Sequence, residues 1–91
     1  MAGRNDEPVR LDLVGLNCPL PVLKSRRALA RLAPGARLEV TASDPLAGID
    51  IPHMCTEDGH RLVEQRRAGA RAVFLIERGP DQEKLPENPE T

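Results

Sequence analysis

Leu11-Asp12-Leu13-Val14-Gly15-Leu16-Asn17-Cys18-Pro19-Leu20-Pro21 is the stretch on which the fold of this chain turns. Leu11 to Leu16 is a short apolar run ending at a glycine, the pattern of a buried strand. Beyond the prolines, Val22 to Ala33 is apolar and basic at helical spacing. Cys18 therefore stands where a strand hands over to a helix. Pro19 falls at the first helical position, which suits proline because its φ is already helical and its missing N–H would have no partner there.

The donors left at such a helix start can be counted. With Cys18 as N-cap, the unpaired amides belong to Cys18, Pro19, Leu20 and Pro21, and the prolines have none. The N–H groups of Cys18 and Leu20 then lie beside the sulfur, at the positive end of a helix. An ordinary thiol has a pKa of about 8.5, and a helix start is expected to lower that of Cys18 and raise its thiolate fraction at neutral pH. The plain alternative is a small buried cysteine next to a helix start, since free cysteines are among the most buried residues. The two bracketing prolines favour the reactive thiol.

Working outward, the first helix is expected from about Pro19 to Ala33. Val22, Leu29, Ala30, Leu32 and Ala33 form its core-facing arc, and Lys24, Arg27 and Arg31 fall on the opposite face with Leu20. Pro34-Gly35 ends it. Arg37 to Ser43 alternates, with Leu38, Val40 and Ala42 on one face and Arg37, Glu39 and Thr41 on the other. That is a second strand, and strand–helix–strand in so short a span implies a parallel, right-handed crossover. Asp44-Pro45 reads as N-cap and first position of a second helix, running through Ile49, Ile51, Met54 and Cys55 to a stop at Gly59. Pro52 falls inside it, where a kink or broken turn is expected. His60 to Arg67 is ambiguous. Leu62, Glu64, Gln65 and Arg66 favour helix, yet the strong strand Ala72-Val73-Phe74-Leu75-Ile76 follows closely, and the stretch serves equally well as its hairpin partner.

Composition narrows the function. The 91 residues allow one domain, about Val9 to Gly79, between polar, proline-containing tails at residues 1–8 and 80–91. A domain of that size buries only about 60% of its unfolded surface, so its chemistry belongs on the outside rather than in a deep pocket. The net charge of −1 gives no general pull toward nucleic acid or anionic membrane. One Phe, with no Tyr or Trp, leaves no platform for stacking bases. No stretch has the length of a transmembrane helix or the apolar core of a signal peptide, so a cytoplasmic protein with two reduced cysteines is expected.

Four blocks in order, Leu11-Asp12-x-x-Gly15-Leu16-x-Cys18-Pro19-x-Pro21, Asp44-Pro45, Asp50-Ile51-Pro52 and Gly59-His60, resemble the TusA-like (SirA-like) sulfur-carrier family. The likeness spans Val9 to Arg78. It implies an α+β fold, a two-layer βαβαββ sandwich with a mixed four-stranded sheet and two helices on one face. It also assigns the ambiguous stretch as the third strand, paired with Ala70 to Glu77. The family's activity resides in the cysteine matching Cys18, which takes a sulfane sulfur as a persulfide and passes it to a cysteine of the next protein. The donor is a cysteine desulfurase or a rhodanese-like protein. Destinations in the family include tRNA thiolation, molybdenum cofactor assembly and sulfur oxidation. The resemblance calls for no cofactor. Leu20 departs from the glutamate that often stands between the prolines, a change that bears on partner choice and not on thiol chemistry.

The expected site is thus Cys18 as the catalytic thiol, shaped by Pro19, Leu20 and Pro21, with the stripe Lys24, Arg27 and Arg31 as a docking surface or a plain solvated helix face. Asp12, Asp44 and Asp50 are further candidates for shaping it. The spacing Cys18…His53-x-Cys55…His60 matches no common zinc pattern, so no metal is expected. A Cys18–Cys55 disulfide is a redox alternative, and helix packing is the plainer role for Cys55. Two other function classes stand beside the carrier. One is a redox-responsive regulatory or interaction module acting through Cys18. The other is a nucleic-acid-binding domain, which only fold likeness to the C-terminal domain of a translation initiation factor would favour.

Overall fold

The computed structural model describes residues 7–80, so the expected tails lie for the most part outside the described residues. The order of elements is β1 (Val9–Leu13), α1 (Leu20–Ala30), β2 (Arg37–Ala42), α2 (Ala47–Asp58), β3 (Arg61–Ala68) and β4 (Arg71–Glu77). They form one four-stranded sheet in the order β1-β2-β4-β3. β1 and β2 run parallel, as the short strand–helix–strand unit demands, and β4 lies antiparallel to both β2 and β3.

Cross-strand partners share a face of the sheet, so the register identifies the core. Leu13 pairs with Ala42, Val40 with Phe74, and Leu38 with Ile76. All six are buried, and the two helices cover them. α1 contributes Pro21, Ser25 and Leu29, and α2 contributes Ala47, Ile51, Met54 and Cys55. The other face stays open to solvent. There Glu39 pairs with Arg10 and Arg66, and Glu77 with Arg37 and Arg61, above the half-buried Val73 and Leu75. Exposed pairs of this kind each add at most about 1 kcal/mol, so stability rests on the helix-covered face.

Several local expectations are corrected. α1 starts at Leu20 with Pro19 as its N-cap, one residue later than the motif implied, and ends at Ala30. Leu29 is buried and Val22 and Leu32 pack against the core as expected, but Pro21 and Ser25 join them, while Ala30 and Ala33 are exposed. Residue polarity misjudged this face, because a serine small enough to lie against the sheet takes a core position. Asp44 does not cap α2 directly. The helix begins at Ala47, and Asp44 holds the preceding turn, its Oδ1 accepting from the Leu46 N–H at 3.3 Å and its carbonyl from the Ala47 N–H at 3.0 Å. Pro52 forfeits one helical bond, yet the helix continues through it to Asp58. Gly59 then ends α2 at φ 80, a left-handed cap that glycine adopts without side-chain clash. Arg61 to Ala68 is a strand despite its helix-forming residues, with a register shift between Leu62 and Glu64.

Candidate functional site

A parallel β1–β2 pair brings the C-terminal ends of both strands to one end of the sheet, and each strand is followed there by a helix. The beginnings of α1 and α2 therefore meet at a single corner. Hydrogen bonds stitch the two strand–helix loops together: the Gly15 N–H donates to Ser43 Oγ at 2.8 Å, and the Cys18 N–H donates to Asp44 Oδ2 at 2.7 Å. Cys18 sits at this corner, exposed, joined to Pro19 by a cis peptide bond.

The electrostatics reverse the sequence expectation. The two amides counted as facing the sulfur are both occupied, that of Cys18 by Asp44 and that of Leu20 by the Asn17 carbonyl at 2.8 Å. Asp50, in the first turn of α2, instead accepts a hydrogen bond from the thiol. That bond, some loss of hydration, and the charges of Asp50 and Asp44 push the Cys18 thiol up from its ordinary range. The neighbouring carboxylates thus favour the protonated thiol over the thiolate. A local count of donors could not reveal acceptors that arrive from another part of the chain.

From Cys18 and Pro19 a groove of about 220 Å³ runs between the helices, over Val22 and Met54, to Arg26, His53 and Glu57. Arg26 closes its far end, donating to Asp58 Oδ2 at 2.6 Å and to Glu57 Oε1 at 3.3 Å. His53 Nε2 lies 3.3 Å from Glu57 Oε2. Of the residues flanking the thiol, Pro19 and Leu20 are exposed and Pro21 is buried beneath them. Lys24, Arg27 and Arg31 are all exposed, and Arg31 lies about 16 Å along the axis from Leu20, so the stripe leads away from the thiol. Asp12 accepts from the Val14 N–H at 3.1 Å and serves the loop. Asp44 and Asp50 do converge on the cysteine. Arg26 and Glu57 were missed by sequence reasoning, and His53 was weighed only as a metal ligand, although two parallel strand–helix units signal that the first turns of both helices share a corner.

Cys55 contrasts with Cys18 at every point. It is 2% exposed, and burial with the Asp58 charge behind it pushes its thiol up to about 11. Both cysteines are free. Among the described residues no three His, Cys, Asp or Glu side chains come together as metal ligands, and no helix is long and apolar enough to cross a membrane.

An exposed cysteine at the shared start of two helices, over a mixed sheet open on its other side, defines a small thiol-bearing α+β protein. Residues 9–78 match the family described as Sulfurtransferase TusA, and the chain belongs to that family. The sulfur carrier protein TusA of Pseudomonas paraeruginosa is 42% identical over 71 residues, covering 78% of this chain and 90% of that protein. Its counterpart in Pseudomonas putida is 38% identical over 71 residues, with 78% and 89% covered. The crystal structure of a SirA-like protein from Desulfitobacterium hafniense shares the fold, with a TM-score of 0.70 at 23% identity over 78% of this chain and 97% of that one.

Proposed function

We propose that this sulfur carrier holds sulfane sulfur as a persulfide on Cys18, taking it from a donor protein and passing it to a cysteine of an acceptor protein. The observation that carries this reading is the difference between the cysteines: Cys18 is exposed, and Cys55 is buried in the core. In the loading step the Cys18 thiolate attacks the outer sulfur of a donor persulfide. The donor S–S bond breaks, its electron pair returns to the donor cysteine, and a new S–S bond forms on Cys18. The proton of the thiol passes through the Asp50 carboxylate to solvent or to the departing donor thiolate. Sulfur moves with no net oxidation, so thiol chemistry balances the step by itself.

In this reading Pro19 and Pro21 shape the turn that presents the sulfur, and Leu20, 42% exposed beside it, offers partners an apolar contact. Lys24, Arg27 and Arg31 steer an acidic partner toward the corner, an effect that falls with salt over a Debye length of about 8–10 Å. Residues 9–79 are the working domain. A cysteine desulfurase or rhodanese-like protein is the donor class, the acceptor belongs to tRNA thiolation, cofactor assembly or sulfur oxidation, and the setting is the reducing cytoplasm, where free thiols persist.

The test is intact mass. Incubated with a cysteine desulfurase and cysteine, or with a rhodanese and thiosulfate, the protein should gain one sulfur atom. Cys18→Ser should lose that gain and Cys55→Ser should keep it. Loss in both variants would bring Cys55 into a two-thiol exchange, and retention in both would end the carrier reading.

A further inference from the structure

A wider groove lies on the other side of Asp44 from the thiol. It measures about 680 Å³ and separates the first turn of α2 from the β3–β4 hairpin, with Asp44, Gly48, Ile49, Gln65 and Arg67 among its walls. The register explains why it opens beside Cys18. Leu13 pairs with Ala42, Ala42 with Ala72, and Ala72 with Arg67, so the hairpin tip rises at the same end of the sheet as the thiol.

The charges within it are unequally matched. Asp44 is taken up by the Cys18 and Leu46 amides, at 2.7 and 3.3 Å. Arg66 reaches Glu39 at 3.9 Å and Glu64 at 4.0 Å on the open face of the sheet. Arg67 shares the inner face with Ala72, and its side chain makes no hydrogen bond or ion pair with any described residue. Arg67 is therefore a cation in the groove without an acidic partner among the described residues. In the same wall stands exposed apolar surface, Ile49 at 68%.

Gly48 supplies an independent observation. It is an exposed residue inside a helix, where glycine weakens the helix relative to alanine. Nothing in the fold requires its bareness, because an added Cβ would meet only Gln65 Nε2, at an ordinary 3.8 Å. A larger side chain there would fill the groove floor.

We propose that this groove receives an extended segment of the partner protein during sulfur exchange. The segment carries a carboxylate for Arg67, an aliphatic side chain for Ile49, and the exchanging cysteine, which reaches Cys18 past Asp44. The proposal rests on Cys18 being the sulfur carrier. In the outgoing step the segment's thiolate attacks the outer sulfur of the Cys18 persulfide. The S–S bond breaks, Cys18 Sγ keeps the electron pair and takes a solvent proton, and the sulfane sulfur leaves on the partner. The α1 stripe acts at long range, whereas the groove sets the close fit and selects acidic over basic segments.

Two blocked peptides serve as probes, one with cysteine followed by leucine and two glutamates, the other with lysines in place of the glutamates. Binding is read on ¹⁵N-labelled full-length Cys18→Ser. The acidic peptide should shift the amides of Gly48, Ile49, Arg67 and Ala70, and the basic peptide should not. Transfer is read on the parent chain, loaded with inorganic polysulfide, desalted and checked by intact mass. At low salt the acidic peptide should accept sulfur about fivefold faster or more. Arg67→Glu should invert that ratio, and Gly48→Gln should flatten it. Absent shifts, shifts confined to Lys24, Arg27 and Arg31, or a ratio indifferent to Arg67→Glu would overturn the proposal. If Cys18 gains no sulfur in the loading step, the carrier reading fails on its own, and the binding experiment still decides the groove.

Discussion

Cys18 and Cys55 sit at opposite ends of the helical layer, and the contrast between their surroundings separates an exposed corner from the packed core. Cys18 lies at the corner where both helices begin, exposed, with Asp50 on its thiol and Asp44 on its amide. Cys55 lies near the end of α2, packed among Ile51, Met54 and the sheet, and its carbonyl accepts from the His60 N–H at 2.8 Å in the helix stop. One end offers loop ends and charged side chains, and the other is closed by side-chain and backbone bonds. The same element, sulfur, is open to solvent at the first and is packing volume at the second.

The largest expected effect is in alkylation. With a small iodoacetamide-type reagent at neutral pH, Cys18 should be modified completely in the folded protein while Cys55 reacts only after denaturant is added. Peptide mass mapping checks this, and modification of Cys55 at a comparable rate under native conditions would dissolve the distinction. Next in size is stability. Cys55→Ser puts a hydroxyl into an apolar core and should cost about 1–3 kcal/mol, whereas Cys18→Ser should stay within about 0.5 kcal/mol of the parent. Urea unfolding of both variants gives the comparison directly.

A smaller effect isolates the carboxylate at the thiol. Because Asp50 raises the Cys18 pKa, Asp50→Asn should lower it, increase the thiolate present at pH 7, and speed alkylation several-fold. The pH–rate profile should move to lower pH. An unmoved profile would mean that Asp50 does not touch the thiol in solution.

Why the sequence anticipated Cys18 and mistook the sign of its electrostatics has a physical answer. The strand, the bracketing prolines and the helical spacing after them are local signals, and they located the thiol at a helix start correctly to one residue. Asp44 and Asp50 reach it only because β1 and β2 pair in parallel, a long-range fact that no donor count within Asn17 to Pro21 contains. β2 and β4 were legible for the same local reason, since Leu38, Val40 and Ala42 alternate and Ala72 to Ile76 is a continuous apolar run. β3 was not, because Glu64, Gln65 and Arg66 lean toward helix and the strand exists through pairing with β4. The hairpin arginines were visible as letters, but their nearness to the thiol follows only from the sheet order.

At the Cys55 end, His60 gives a prediction in pH. Its Nδ1 accepts from the Gly79 N–H at 2.9 Å, which requires the neutral ring on that nitrogen. Burial, together with Arg78 and Arg26 nearby, lowers its pKa, with Asp58 opposing. A histidine whose folded pKa lies below its unfolded value contributes stability that is complete above about pH 6.5 and is lost as pH falls toward the folded value. Thermal unfolding between pH 7.5 and 5 should therefore show a decline in Tm on acidification. His60→Asn, which keeps an acceptor for Gly79 without titrating, should flatten that decline. An equal decline in the variant would assign it to other groups.

The smallest expected effect inverts the Cys55→Ser experiment. Ser25 lies on α1, facing the sheet, fully buried, and its Oγ has no hydrogen-bond partner among the described residues. A hydroxyl held there has given up its bonds to water without replacement, a cost that the surrounding core must offset. Ser25→Ala removes the oxygen and leaves a gap of only one small atom, and alanine is the better helix former. The two terms act in the same direction, so the variant should be more stable than the parent by about 0.5–1 kcal/mol, a rise in Tm of a few degrees for a domain of this size. Placing a hydroxyl in the core at Cys55 and withdrawing one at Ser25 should thus change stability with opposite signs. If Ser25→Ala is instead destabilising by 1 kcal/mol or so, the hydroxyl has a partner in solution, an α1 carbonyl one turn back being the nearest in sequence. The serine would then be a structural bond of the helix that presents Cys18 rather than a tolerated polar atom.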